Sequence, residues 1–89
     1  MSGRVVTISI SSYNYARFLG DAIDSALNQD YEHIQVIVVD DGSTDGSVEV
    51  ASAYGDRILL VAQENAGQGS VFNVTMDHAL GEIIMFLDA

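Results

Sequence analysis

The 89-residue chain has no cysteine, no proline and no tryptophan, and only three basic side chains against thirteen acidic ones. Without cysteine there is no disulfide framework, no thiolate metal site and no cysteine nucleophile. Arg4, Arg17 and Arg57 are the only fixed positive charges, so a nucleic-acid backbone or an anionic membrane surface is a poor partner. Long apolar runs are missing too: residues 5–10 are too few and too interrupted for a signal-peptide core or a membrane span. A cytoplasmic location is the default expectation, with membrane association left open for a longer protein. Nor is the chain an acidic disordered tail, because 48% of it is hydrophobic despite a net charge of −10. A chain of this size buries only roughly 60–65% of the surface its unfolded form exposes, so modest stability is expected.

What is present alternates. Residues 4–11, 34–40, 57–63 and 83–87 are short β-branched or apolar runs, and residues 16–29, 44–54 and 69–80 read as helices. In the first helix Leu19, Ala22, Ile23, Ala26 and Leu27 fall on one stripe. The run IQVIVVD over residues 34–40 is nearly all apolar, which suits a central strand buried on both faces. Ser43 or Thr44 is the expected cap of the second helix, with Gly55 and Gly81 as stops for the second and third. Strict alternation with short connections implies right-handed crossovers. The expected fold is α/β: a Rossmann-like parallel sheet of about four strands with helices on both faces and no internal domain boundary.

In such a sheet, ligands bind beyond the carboxyl ends of the strands, near the point where strand order reverses. Those ends are Ser11-Ser12-Tyr13-Asn14, Asp40-Asp41-Gly42, Gln63-Glu64-Asn65 and Asp88-Ala89. Three carry a carboxylate and the fourth an aromatic ring beside an amide, so the polar chemistry gathers at one edge. Asp40-Asp41-Gly42 reads plainly as a tight turn, with Gly42 at positive φ. Its position allows a sharper reading. A carboxylate there can accept a hydrogen bond from a nucleobase N–H or a ribose hydroxyl, and Asp88 from a neighbouring strand could help hold a divalent cation. Hard oxygen donors suit Mg²⁺ or Mn²⁺. Tyr13 is either an ordinary half-buried loop tyrosine or a stacking platform for a base.

Other motifs fail on inspection. Asp41, Ser43, Asp45 and Gly46 fit the first half of a calcium loop, but its twelfth position is Ser52 instead of glutamate and a strand leads in. Gly67-Gln-Gly69-Ser-Val-Phe72 is a dinucleotide fingerprint with its last glycine lost, after the wrong strand. The loop after the first strand has neither Gly nor Lys, so it is no phosphate-cradling P-loop. His33 and His78 have no spacing to each other or to a carboxylate that makes a ligand pair, and Ser43 has no nearby base.

The segments ISSYN (residues 10–14), SALNQDYEHIQVIVVDDGSTDGS (25–47), QENAGQG (63–69) and GEIIMFLDA (81–89) resemble the N-terminal part of the family 2 glycosyltransferases, which have the GT-A fold. The resemblance covers the chain from about Val5 to Ala89. It implies an inverting transfer of a sugar from a nucleoside-diphosphate donor, such as a UDP-sugar, to an acceptor hydroxyl. It implies that Ser11 and Tyr13 line the base pocket and that Asp41, with Asp40, hydrogen-bonds the base or ribose. Asn65 and Gly67 then shape the loop beside the nucleotide. Asp88 becomes the first carboxylate of an Asp-X-Asp motif, near the ribose and a Mg²⁺- or Mn²⁺-bound diphosphate. Two positions depart from the family pattern: Ser11 stands where Pro is common, and Phe72 where Arg often precedes Asn73.

On this resemblance residues 1–89 are the nucleotide-binding part of a longer domain, cut at Asp-X-Asp. The second Asp, the catalytic base and the acceptor site are then expected downstream, and the piece alone is expected to be inactive. The rival from another class is a non-catalytic nucleotide-binding or interaction module that kept the fold. A nucleotidyltransferase would want a glycine-rich basic loop after the first strand, and an oxidoreductase rests on the broken fingerprint alone. The apolar fourth strand, left as an edge, is expected to favour self-association.

Overall fold

The computed structural model describes residues 5–30, 33–64 and 68–88. Eight elements follow one another: β1 (Val5–Ser12), α1 (Ala16–Leu27), β2 (His33–Asp41), α2 (Ser47–Ser52), a 3₁₀ turn (Gly55–Arg57), β3 (Leu59–Gln63), α3 (Gln68–His78) and β4 (Ile83–Asp88). The strands form one parallel sheet in the order β3-β2-β1-β4. The chain steps outward from β1 to β2 to β3, then returns across the sheet to the far side of β1.

That path puts helices on both faces. On one face Leu19, Ile23 and Ala26 of α1 and Ala51 of α2 pack on Val6, Ile8, Ile10, Val36 and Val38. On the other, Val71 and Val74 of α3 pack on Ile37 and Val39. Residues 36–39 of β2 are therefore buried from both sides, as their unbroken apolar run requires. Side chains alternate along a strand, so β1 turns Val6, Ile8 and Ile10 to the α1 side and Thr7, Ser9 and Ser11 to the α3 side. The second side is held by hydroxyls as much as by oil. Ser9 and Thr75 share a hydrogen bond of 2.6 Å, and both side chains are fully buried.

Four sequence expectations need correction. The second helix begins at Ser47, not near residue 44, and neither Ser43 nor Thr44 caps it. Gly46 sits at its N-terminus with φ 91°, and the Asp45 carboxylate accepts from the Ser47 N–H at 3.1 Å. The same helix ends at Ser52, before Gly55, whose φ of 60° opens the 3₁₀ turn instead. The strand after it starts at Leu59 because that turn takes up Arg57. Finally, α3 stops at His78, and Gly81 is needed for a different reason. A Cβ there would lie 2.5 Å from the Val5 carbonyl oxygen and 2.9 Å from the Thr7 nitrogen. The carbonyl of His78 is instead met by the Gln35 Nε2 donor at 3.0 Å, while Gln35 Oε1 accepts from the Leu80 N–H at 2.8 Å.

As expected, β4 is an edge strand. Ile83, Met85, Phe86 and Leu87 stay exposed, with Phe86 stacked on Phe72 of α3 at 5.7 Å.

Candidate functional site

Strand order reverses between β1 and β4, so the crevice favoured for ligands lies at the carboxyl ends of those two strands. Ser11 is in register with Asp88 across that junction and with Val39 on its other side. Asp41 follows Val39 by two residues, so the alternation of β2 turns it to the same face. Ser11, Asp41 and Asp88 thus share the α3 side of one sheet edge. Tyr13 stands in the loop just above, 47% exposed.

Asp41 is only 8% exposed. Its Oδ1 accepts from Gln63 Nε2 at 3.0 Å, and Gln63 Oε1 accepts from the Ser70 hydroxyl on α3 at 3.3 Å. This relay orients the carboxylate from β3 and α3 together.

Asp40 takes the opposite face. It is 1% exposed, and both its oxygens serve Ser43: Oδ2 accepts from the backbone N–H at 3.0 Å and Oδ1 from the hydroxyl at 2.6 Å. Gly42 between them has φ 85°, as the turn reading required. The structure therefore places Asp40 inside the turn and Asp41 on the α3 side of the sheet edge. Asn65 and Gly67 lie outside the described residues.

Three residues that sequence reasoning did not assign to the site build its walls. Asn14 has φ 55°, the one positive value among described non-glycine residues, and asparagine tolerates it better than most. Its N–H donates to Ser43 Oγ at 2.8 Å and its Oδ1 accepts from the Thr44 N–H at 2.8 Å. Asp45 Oδ2 accepts from the Ala16 N–H at 3.0 Å. The third is Gln63, described above. The spacing Asp45-Gly46-Ser47 is a local capping signal that sequence could have offered. The bonds between residues 14–16 and 43–45 have no local signature. Hydrogen bonds from Ser47 and Ala16 hold the Asp45 carboxyl below the ordinary carboxylate range.

Among the described residues no group of three or more His, Asp and Glu gathers closely enough to hold a cation. The donor set among the described residues does not by itself make a metal site. A hollow of about 840 Å³ opens at the opposite edge, where the strands begin, lined by His33, Gln35, Arg57 and Leu80 among others. None of the strand-end carboxylates lines it, so the strand-end chemistry and this hollow lie at different ends of the sheet.

The sheet order and the strand-end chemistry have counterparts among known proteins. A sequence-family model described as glycosyl transferase family 2 matches residues 7–89. The chain belongs to that family. An uncharacterized glycosyltransferase of Nostoc sp. is 44% identical over 88 residues, which is 94% of this chain and 27% of the relative. The family 2 chain described here thus spans between about an eighth and a quarter of the length of relatives it matches.

Two solved structures resemble its fold. S. aureus TarS 1–349 in complex with UDP superposes with a TM-score of 0.82 at 27% identity, covering 93% of this chain and 26% of that one. A mannosyltransferase from Pyrobaculum calidifontis, solved with GDP-Man and Mn²⁺, superposes with a TM-score of 0.79 at 28% identity, covering 99% and 28%. The four-stranded parallel sheet with its flanking helices is a portion of the GT-A glycosyltransferase fold.

Proposed function

We propose that this chain is the nucleotide-binding part of an inverting glycosyltransferase that moves a sugar from a nucleoside diphosphate to an acceptor hydroxyl. The observation that carries the proposal is the placing of Ser11, Asp41 and Asp88 on one face of the β1–β4 crevice, beneath an exposed Tyr13. The similar structures solved with UDP and with GDP-Man support it.

In this reading the Tyr13 ring lies against the base. Asp41, held by Gln63, accepts a hydrogen bond from a base N–H or a ribose hydroxyl. Ser11 lines the floor, and Asp88 faces the ribose–diphosphate junction. In the transfer the acceptor oxygen bonds to the anomeric carbon, the sugar–diphosphate bond breaks and the acceptor proton goes to a base. The share of this chain is to hold the nucleoside end. Mg²⁺ or Mn²⁺ is the expected cofactor of the longer protein, with Asp88 the carboxylate that would help hold it. No transfer is expected from residues 1–89 alone.

Calorimetry with UDP in the presence of Mn²⁺ tests the site. Removing the stacking ring in Tyr13→Ala is expected to cost about 1–3 kcal/mol, or roughly 5- to 150-fold in Kd. Asp41→Ala is expected to weaken binding by a similar factor. A folded wild-type chain that gives no heat at millimolar UDP would overturn the assignment.

A further inference from the structure

We propose that Asp45 is a positioning residue for the nucleotide: it latches the loop that carries Tyr13 to the loop that carries Asp41. The inference deepens the nucleotide-binding reading and rests on it.

The two loops follow β1 and β2 and are joined by four direct bonds, the longest from the Thr44 hydroxyl to Asn14 Oδ1 at 3.5 Å. Asn14 N–H donates to Ser43 Oγ at 2.8 Å, Thr44 N–H to Asn14 Oδ1 at 2.8 Å, and Ala16 N–H to Asp45 Oδ2 at 3.0 Å. Asp45 is the member with two ends. Its Oδ1 accepts from both the N–H and the hydroxyl of Ser47, at 3.1 and 2.6 Å. Ala16 opens α1 and Ser47 opens α2, and neither helix has a side-chain cap from its own N-cap residue. One carboxylate therefore serves the unsatisfied first-turn donors of both helices, where a negative charge is favoured.

The latch has something to hold. A non-glycine residue at φ 55° is a conformation the surroundings must maintain. Asn14 keeps it with bonds from its backbone and its side chain to the other loop. Tyr13 is the preceding residue, so the backbone at Asn14 sets where its ring stands. Freed from the second loop, Asn14 can relax to negative φ and swing Tyr13 away from the crevice.

Two substitutions separate a latch from an ordinary helix cap. Asp45→Ser keeps one short acceptor for the Ser47 N–H two residues on, but cannot also reach Ala16. Ser47→Ala removes a bond on the α2 side and leaves the link to Ala16. Amide hydrogen exchange is expected to speed up roughly tenfold over residues 13–17 in Asp45→Ser and to stay unchanged there in Ser47→Ala. UDP affinity, measured with Mn²⁺, is expected to fall roughly tenfold in Asp45→Ser and less than about twofold in Ser47→Ala. Asn14→Gly accepts the same φ yet loses the bond from Thr44, and is expected to behave as Asp45→Ser does should that variant not fold.

Unchanged exchange over residues 13–17 in both latch variants overturns the latch, whatever the affinity. Faster exchange with undiminished UDP binding overturns the positioning role. A wild-type chain that binds no UDP overturns the nucleotide reading and the positioning role with it, while exchange still decides the latch.

Discussion

Gly81 offers a test in which two accounts of one glycine predict opposite signs. As a flexible stop after α3, its replacement by alanine should stabilise the chain by about 0.4–1 kcal/mol, because alanine restricts the unfolded state. The structure says otherwise. The added Cβ would stand 2.5 Å from the Val5 carbonyl oxygen, 2.7 Å from Thr7 Oγ1 and 2.9 Å from the Thr7 nitrogen. Two of these are backbone atoms of β1, between β2 and β4, so no rotamer change relieves them. Overpacking of this kind costs about 1–3 kcal/mol. The shift also strains the bond from the Gly81 N–H to Thr7 Oγ1, 3.0 Å long, whose loss adds about 0.5–1.5 kcal/mol. A loss of about 2–4 kcal/mol follows. In a domain of this size that lowers Tm by about 10–30 °C. Thermal unfolding followed by circular dichroism reads this directly. Gly69→Ala is the control: it lies in α3 with nothing within 4 Å of the added carbon. Better helix propensity should raise its stability by about 0.5 kcal/mol. A Gly81→Ala chain that melts at or above the wild-type temperature would refute the close-approach account.

The hydroxyl seam under α3 predicts coupling. Thr75→Val removes the partner of the buried Ser9 hydroxyl and should cost about 1–3 kcal/mol in urea unfolding, whereas adding Ser9→Ala should recover part of that loss; strictly additive single effects would deny the bond its role. Tyr54 predicts an alkaline limit. Its hydroxyl donates to Asp24 Oδ1 at 2.7 Å and also faces the Gly20 carbonyl at 3.1 Å. The Asp24 hydrogen bond first, then desolvation and the charges of Asp24 and Asp21, raise its pKa above 10.0 against the opposing Arg57. The folded state thus retains this proton longer than the unfolded one. The stabilisation is full below pH 10.0 and is lost as pH rises through the raised value. Absorbance titration should show a late ionisation that Tyr54→Phe removes; an alkaline end of the titration left unchanged by Tyr54→Phe would contradict the contact.

What could be read from sequence was whatever repeats locally. The stripe of Leu19, Ile23 and Ala26 located α1 because burial on one helix face imposes that spacing. The run through Val36, Ile37, Val38 and Val39 announced a strand covered twice, and it is. The gathering of Asp41, Asp88 and Tyr13 at one edge followed from alternation of strand and helix alone. The division of labour between Asp40 and Asp41 did not, because two adjacent carboxylates differ only in the face to which the pleat turns them. The start of α2 was misjudged for a related reason. Ser43 and Thr44 are good caps in isolation, but Asn14 and Asp40 engage them from elsewhere. Gly81 looked like a helix stop because a backbone approach across the fold leaves no mark beside it in the chain.

The central position of β1 also has a consequence in time. Val6 pairs with Ile34 on one side and with Ile83 on the other. During synthesis the second partner emerges roughly fifty residues after the first, or about 3–10 s later at ~5–20 residues per second. For that interval one edge of β1 has no neighbour, and for most of it α3 is not yet complete to cover the face that bears Thr7 and Ser9. Hydroxyls on that face make the waiting strand a poorer template for another nascent chain than valines would. Thr7→Val with Ser9→Val is therefore expected to increase aggregation during translation more than on dilution of the finished chain from denaturant, and equal increases would contradict this. The polar seam that later seats a helix thus first serves as protection for the half-made sheet on the ribosome.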